Sequence, residues 1–253
     1  MKRTAVVVSL VIVACATIAI YGRWLQNPAI SIISIDNKIY SAYDMFQDPK
    51  VAELAEAAAK GDLRWINRLI ATGADINTKG RFEYTPVMWA IRTHSLKGFE
   101  HLLKHGGRLD TSNNTALSAM SLAAGPAPNA KFLKMALAHG GDPNFVDSIT
   151  GETPIFQAVR SGDVQRVSML IDAGANLNVR SRGGFTALMV AGLHFEYHSA
   201  LIMLQHGADY RIRTDYGKDF RSFVEQDQSR PLWMPSYWWR KKVIAFLGSV
   251  GNH

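Results

Sequence analysis

Two pairs of histidines have the spacing at which side chains on one face of a helix can share a metal ion. His101 and His105 form one pair, and His194 and His198 form the other, each four residues apart. Neither pair has an apparent third ligand, so we predict partly exposed helix histidines and no metal site. The sequence also lacks the motifs GxSxG and HExxH and a phosphate-binding loop. We therefore predict a protein that is not an enzyme and needs no cofactor, with a cryptic site around His101 and His105 as the alternative.

Cys15 is the single cysteine among 253 residues, which excludes a disulfide within the chain. It lies in an uncharged apolar run, residues 5–21, that follows two N-terminal cations. This pattern predicts an export signal or a membrane anchor over residues 1–22. The sequence from Ile12 to Cys15 resembles a bacterial lipobox, which would make Cys15 a lipidated first residue. The apolar residues after Cys15 favour an uncleaved anchor instead, in which Cys15 is a small buried side chain.

Residues 23–50 are predicted to form a tether, and residues 51–247 a repeat domain with a cap at each end. Export would place the protein in the periplasm, tethered to a bacterial membrane through its N-terminal segment. A start at Met45 would give a cytosolic form that keeps the repeats. The sequence leaves both possibilities open.

The formal net charge of +7 permits an acidic protein, a nucleic acid or an anionic membrane as partner. Part of this excess is local, because cations cluster at Lys2 and Arg3 and again at Arg240 to Lys242. We therefore predict no nucleic-acid binding. Hydrophobic residues make up 47% of the chain, which is enough for a packed core.

Five glycines recur at steps of 33 or 34 residues, each after a run with the apolar period of a helix. They are Gly73, Gly106, Gly140, Gly174 and Gly207. Each is predicted to end the second helix of a unit in the left-handed conformation. A threonine followed by proline or alanine is predicted to cap the first helix of a unit. The capping residues are Thr85, Thr115, Thr153 and Thr186.

These units resemble the ankyrin repeat, in phrases such as LIDAGANLNV at residues 170–179. The resemblance covers residues 51–247 and implies an all-α ankyrin-repeat solenoid of about five to six helix-turn-helix repeats with β-hairpin fingers. One repeat departs from the pattern, because Thr115 to Gly140 is 25 residues, against 21 from Thr153 to Gly174. We expect a lengthened inter-helix loop at residues 123–130 and a clipped finger before it.

Both ends of the solenoid are predicted to be capped. The first unit would expose Glu53, Glu56 and Lys60 as a polar outer face. At the other end, aromatic residues are predicted to close the last apolar face. They are Phe220, Phe223, Trp233, Trp238 and Trp239. The alternative for the stretch from Trp238 to Lys242 is contact with a membrane.

In ankyrin proteins, finger tips and first helices line a concave face that binds proteins, so the resemblance implies a protein partner. Matching repeat by repeat places the contact residues near the starts and ends of the first helices. They are Arg81, Phe82, Tyr84, Arg92, Thr93, Ser112, Asn114, Ile149, Glu152, Arg160, Arg182, Phe185 and His194. Exposed arginine and aromatic side chains are typical of protein interfaces. The competing interpretation of Phe82 and Phe185 is that they pack on neighbouring fingers.

A narrower resemblance rests on the N-terminal segment, the short tether, the stretch MFQDPKVAELAEAAAKGDL from Met45, and the compact stack. This combination resembles the bacterial ankyrin-repeat immunity proteins that are paired with type VI secretion phospholipase effectors. It implies a protein that binds and neutralises such an effector at the membrane. A periplasmic ankyrin scaffold or chaperone for another protein is the alternative, and the sequence does not separate the two.

Overall fold

The structure, a computed structural model, describes residues 40–112, 118–125, 127–226 and 234–250. The predicted signal or anchor at residues 1–22, with Cys15, lies outside the described residues.

Residues Ala42–His253 form one compact unit. Met45 and Phe46 are buried within that unit, at 1% and 2% exposure. The packed unit therefore starts earlier than residue 51, where the repeat domain was predicted to begin.

Thirteen α-helices occur in the described residues. A short helix, α1 (Ala42–Met45), precedes six successive helix pairs. The pairs are α2 (Pro49–Lys60) with α3 (Leu63–Ala71), α4 (Pro86–Arg92) with α5 (Leu96–Lys104), α6 (Ala119–Ala124) with α7 (Lys131–Ala138), α8 (Pro154–Arg160) with α9 (Val164–Asp172), α10 (Ala187–Leu193) with α11 (Tyr197–Gln205), and α12 (Phe220–Gln226) with α13 (Pro235–Val250). Each first helix packs against the first helix of the next pair. The predicted all-α class and number of repeats are confirmed.

The segments between pairs, which we call fingers, contain no β-strand in the described part of the chain, where the bridge between Ser112 and Ser118 is isolated. Each finger is a turn closed by a backbone hydrogen bond. Ser181 N–H donates to the Phe185 carbonyl oxygen at 2.8 Å, and Thr214 N–H donates to that of Lys218 at 2.8 Å. A turn closed after so few residues leaves no second rung for a hydrogen-bonded ladder. The predicted β-hairpins are therefore absent from these fingers.

Threonine begins the first helices as predicted at Thr85 and Thr186. Their hydroxyl oxygens accept hydrogen bonds from the N–H groups of Met88 and Met189, each at 3.3 Å. Thr153 occupies the same position before α8 but makes no side-chain capping bond. Proline at the first position of α8 has no N–H to satisfy, which lowers the need for a cap.

The predicted start of the third first helix at Thr115 is wrong. Helix α6 begins at Ala119, and Ser118 caps it by accepting from the N–H of Ser121 at 2.9 Å. A serine hydroxyl caps a helix as well as a threonine hydroxyl does. Thr115 itself lies outside the described residues.

The clipped finger is also wrong, because it depended on that start. Ser118 follows Gly106 by 12 residues, the same interval as from Gly73 to Thr85. The lengthened loop is confirmed, since residues 125–130 separate α6 from α7, whereas three residues separate α8 from α9. The additional length of this repeat therefore lies between its helices.

Glycine ends the second helices as predicted, with φ of 84° at Gly174 and 88° at Gly207. After each turn, asparagine side chains join consecutive repeats. Asn144 donates from Nδ2 to the Gly174 carbonyl oxygen at 3.0 Å and accepts at Oδ1 from the N–H of Asn176 at 2.6 Å. One amide thus ties two turns together by donating and accepting at once.

The two end pairs differ in how they are covered. Glu53 and Glu56 are half-buried and Lys60 is exposed on α2, in agreement with a polar outer face. At the other end, α13 packs on α11 and buries Val243 and Leu247. Within the described residues, no helix combines the length and the apolar character that crossing a bilayer requires.

The predicted aromatic cap is confirmed only in part. Phe220 and Phe223 are buried, and the Trp239 ring stacks on His198 at 3.7 Å between centroids. Trp238 is 58% exposed, so the prediction that it closes the stack is wrong. Trp233 lies outside the described residues.

Candidate protein-binding surface

Three consecutive fingers are joined to one another in the C-terminal half of the stack. Arg182 lies in the middle one and donates its N–H to the Thr150 carbonyl oxygen at 2.7 Å. Its guanidinium donates to the Ser148 carbonyl oxygen at 2.6 Å. On the other side, Arg180 pairs with Asp215 of the next finger at 2.8 Å. Residues 147–152, 181–185 and 214–218 therefore form one continuous surface, which we name the finger surface.

Exposed apolar side chains lie on the finger surface beside these arginines. Ile149 is 46% exposed and Tyr216 is 81% exposed. Val146, just before the first of the three fingers, is 51% exposed. Large apolar side chains among arginines are typical of the anchors of protein interfaces.

The finger between α3 and α4 presents Arg81 and Phe82. Arg81 is exposed, and its guanidinium lies 6.0 Å from the Phe82 ring centroid. Phe82 is half-buried and has a left-handed backbone, with φ of 57°. A bulky residue in this conformation is strained, and such strain clusters at functional sites. Both positions fit the predicted contact set.

Tyr84 does not fit that set. It is 2% exposed, so the prediction that it lies on the surface is wrong. Phe185 is half-buried, and its ring lies 5.9 Å from that of Phe223. Both residues directly precede a capping threonine, where the chain turns inward to begin a first helix. For Phe185 the competing interpretation, packing within the stack, is the better description.

Glu152 and Arg160, both predicted contact residues, bind each other. The guanidinium of Arg160 donates to the two carboxylate oxygens of Glu152 at 2.6 Å and 2.5 Å. Their side chains are only 29% and 15% exposed for Arg160 and Glu152 respectively. This bidentate pair fixes the base of a finger to the end of α8. A partner would therefore meet a neutralised pair at this point.

Arg92 and Thr93 also turn inward at the end of α4. Arg92 lies over the Trp89 ring at 5.4 Å from its centroid, and burial lowers the pKa of Arg92. Thr93 donates its hydroxyl to the Trp89 carbonyl oxygen at 2.9 Å. Ser112 is half-buried, and Asn114 lies outside the described residues.

The histidine pairs have other neighbours than a metal. His101 Nε2 lies 2.7 Å from the Asn67 side-chain oxygen, and His105 Nδ1 lies 2.9 Å from the His101 carbonyl oxygen. In the described part of the chain, no group of three or more His, Cys, Asp or Glu side chains could hold a metal ion. His194 is exposed, and burial of its ring together with the charge of Arg160 lowers its pKa.

Two features escaped sequence reasoning. Tyr216 stands three residues before Asp219, as Phe82 stands three before Thr85, so the repeat register extended by one unit would have found it. Arg166 is 5% exposed in the middle of α9 and gave no such signal. Its guanidinium donates to the carbonyl oxygens of Ala124, Gly125 and Ala127, and thereby clamps the long inter-helix loop.

Comparison with known proteins agrees with this architecture. Residues 120–214 match the family described as Ankyrin repeats (3 copies). Protein PhlB of Serratia liquefaciens is 30% identical over 138 residues, which are 54% of this chain and 60% of that protein. The mitochondrial disaggregase of Bos taurus is 33% identical over 75 residues, which are 30% of this chain and 11% of that protein.

Palmitoyltransferase AKR1 of Lachancea kluyveri is 23% identical over 189 residues, which are 73% of this chain and 26% of that protein. The chain thus spans less than two thirds of the length of each of these relatives. Two of them are enzymes by name, and the similarity covers a minor part of each. The chain carries ankyrin repeats, and such repeats indicate a protein–protein interaction module.

Proposed function

We propose that this protein is an immunity protein that binds a secreted antibacterial phospholipase effector at the membrane and neutralises it. The repeats support the binding role, and the finger surface is the part of the stack best suited to it. The effector class comes from the narrower resemblance of the whole sequence to immunity proteins. Similarity to a bacterial relative, Protein PhlB, is compatible with a bacterial setting.

One observation carries the binding role. The three fingers are tied together through Arg182 and through the pair of Arg180 with Asp215, while Ile149 and Tyr216 remain exposed on them. Fingers held in place lose little conformational freedom when a partner binds, so their exposed side chains contribute more to affinity. A rigid surface with aromatic, aliphatic and arginine side chains is therefore suited to a protein partner.

The membrane location forms part of the same proposal. An export signal or anchor over residues 1–22, with Cys15 as the site of lipidation, would hold the stack in the periplasm. An inhibitor held there meets a phospholipase at a raised effective concentration, before the enzyme reaches its lipid substrate.

The test uses the protein encoded by the adjacent gene. Cells that produce this protein in the periplasm are expected to survive only when they also produce the full chain. The purified pair should form a complex in which phospholipase activity falls. Binding without loss of activity would favour a periplasmic scaffold or chaperone instead. Absence of any complex would contradict the proposal.

A further inference from the structure

The last helix, α13, has one face that packs and one that does not. Val243 and Leu247 are buried against the stack, at 0% and 2% exposure. On the opposite face, Trp238 is 58% exposed, and Lys241 and Ala245 are exposed beside it. Ile244, at 43% exposure, borders this outer face. An exposed tryptophan next to lysines has no role in closing the stack.

The charges of α13 all have one sign. The helix contains Arg240, Lys241 and Lys242 and no aspartate or glutamate. Within the described residues, no salt bridge involves either lysine. Lys241 Nζ lies 4.9 Å from the Tyr237 ring centroid, and Lys242 Nζ lies 4.2 Å from that of Trp239. The lysine ammonium groups are thus held close to the aromatic rings, where cation–π attraction favours them.

We propose that this outer face of α13 docks on an anionic lipid surface. Trp238 would enter the headgroup region, because an indole ring is most stable where an apolar and a wet environment meet. Lys241 and Lys242 would lie over the lipid phosphates, which attract basic residues near the surface. A helix with lysine and tryptophan on its exposed face is suited to lying in the plane of the interface.

The arginine of this helix favours lipid over an acidic protein as the occupant. Arg240 turns inward, and its Nε donates to the Val224 carbonyl oxygen at 2.9 Å. Guanidinium groups supply the planar, bidentate recognition of protein carboxylates. The outer face retains only lysines, which act as point charges without a preferred geometry. Such charges suit the diffuse negative charge of lipid headgroups.

The test places a fluorophore that reports its environment at position 245 of the full chain. The variant Cys15→Ser with Ala245→Cys carries a single thiol for labelling. Vesicles of phosphatidylcholine mixed with phosphatidylglycerol should shift its emission to the blue, and vesicles of phosphatidylcholine alone should not. The same label at Ser148→Cys, on the finger surface, should not respond to either. Because the label is local, binding through the N-terminal segment does not imitate this result.

A pair of charge-reversed variants completes the test. Lys241→Glu with Lys242→Glu should weaken the response at position 245 to anionic vesicles by at least about tenfold. Lys131→Glu with Lys134→Glu, which makes the same change of charge on exposed positions of α7, should leave it nearly unchanged. An unshifted label on anionic vesicles would overturn the proposal, and so would an equal shift on neutral ones. A shift caused only by an acidic polypeptide would overturn it in favour of a protein partner.

Discussion

Two joints of the stack, at corresponding positions, are built differently. At the joint between the third and fourth helix pairs, Asn144 donates to Gly174 and accepts from Asn176. At the joint between the second and third pairs the corresponding residue is Asp110, which pairs with Arg108 at 2.9 Å. A carboxylate accepts hydrogen bonds but donates none, so Asp110 does not replace the bridging amide.

The same joint between the third and fourth pairs carries a second bond system. Arg166 reaches from α9 to the loop between α6 and α7, and also pairs with Asp163 at 2.9 Å. Across the joint at Asp110, contact is mainly apolar, with the Phe99 and Phe132 rings 5.4 Å apart. A regular repeat in sequence therefore does not imply equal coupling between neighbours. The unequal joints predict different costs for the substitutions below.

Loss of the Arg166 clamp should have the largest effect. Arg166→Ala should lower the free energy of unfolding by about 3 kcal/mol, because it leaves three carbonyl oxygens of the loop without their donor. Chemical denaturation measures this loss. Gln165→Ala, at the exposed neighbouring position, is the control and should cost much less. Equal stability of the two variants would show that the loop holds itself in place.

Gly174→Val should cost about 1–2 kcal/mol, since Gly174 has φ of 84° and a β-branched residue is strained there. No atom lies within 4 Å of an added Cβ, so the loss would report backbone strain alone. Ala173→Val, one residue earlier at an ordinary φ of −81°, is the matched control. Thermal denaturation compares the two, and an unchanged melting temperature for Gly174→Val would contradict the assignment of this turn.

Asn144→Asp should make the strong joint resemble the weak one. The substitution removes the donor to Gly174, and the expected cost is about 1 kcal/mol in the free energy of unfolding. Denaturation of the variant by urea measures it. Asn178→Asp, at the next joint, makes a parallel comparison because Asn178 Oδ1 accepts from the N–H of Asp209 at 2.8 Å. A cost near zero at Asn144 would mean that apolar packing alone sets the coupling.

The converse change, Asp110→Asn, should have the smallest effect. An amide at position 110 would gain the ability to donate, and we expect a gain of about 0.5 kcal/mol. The gain is small because the variant also loses the exposed pair with Arg108, which contributes little. Urea denaturation decides the sign. A clear loss of stability would show that the pair with Arg108 matters more than a bridge.

The sequence predicted the helix pairs well because their signals are local. Thr85, Thr186, Gly174 and Gly207 satisfy or end a helix through their own backbone or hydroxyl group, so spacing alone located them. The error at Thr115 arose because Ser118, three residues later, offers the same capping chemistry. Two residues competed for one local role, and nothing in the sequence ranked them.

The binding surface was predicted less well because exposure depends on residues far along the chain. Tyr84 and Phe185 have the composition of interface residues but are covered by the stack. The finger-to-finger bonds of Arg182 span about thirty positions of sequence, as does the pair of Arg180 with Asp215. Contacts of this kind follow from the packed repeats and leave no local pattern.

The most direct test of the account is titration calorimetry of the chain with the protein encoded by the adjacent gene. The test variant is Ile149→Asp with Tyr216→Ala, because both side chains are exposed and Tyr84 would confuse folding with binding. If the finger surface is the interface, affinity should fall at least about a hundredfold while the melting temperature stays nearly unchanged. Leu63→Asp, an exposed apolar position on α3 at 38% exposure, should bind as the unaltered chain does. An unchanged affinity in the double variant would contradict the finger surface as the binding site.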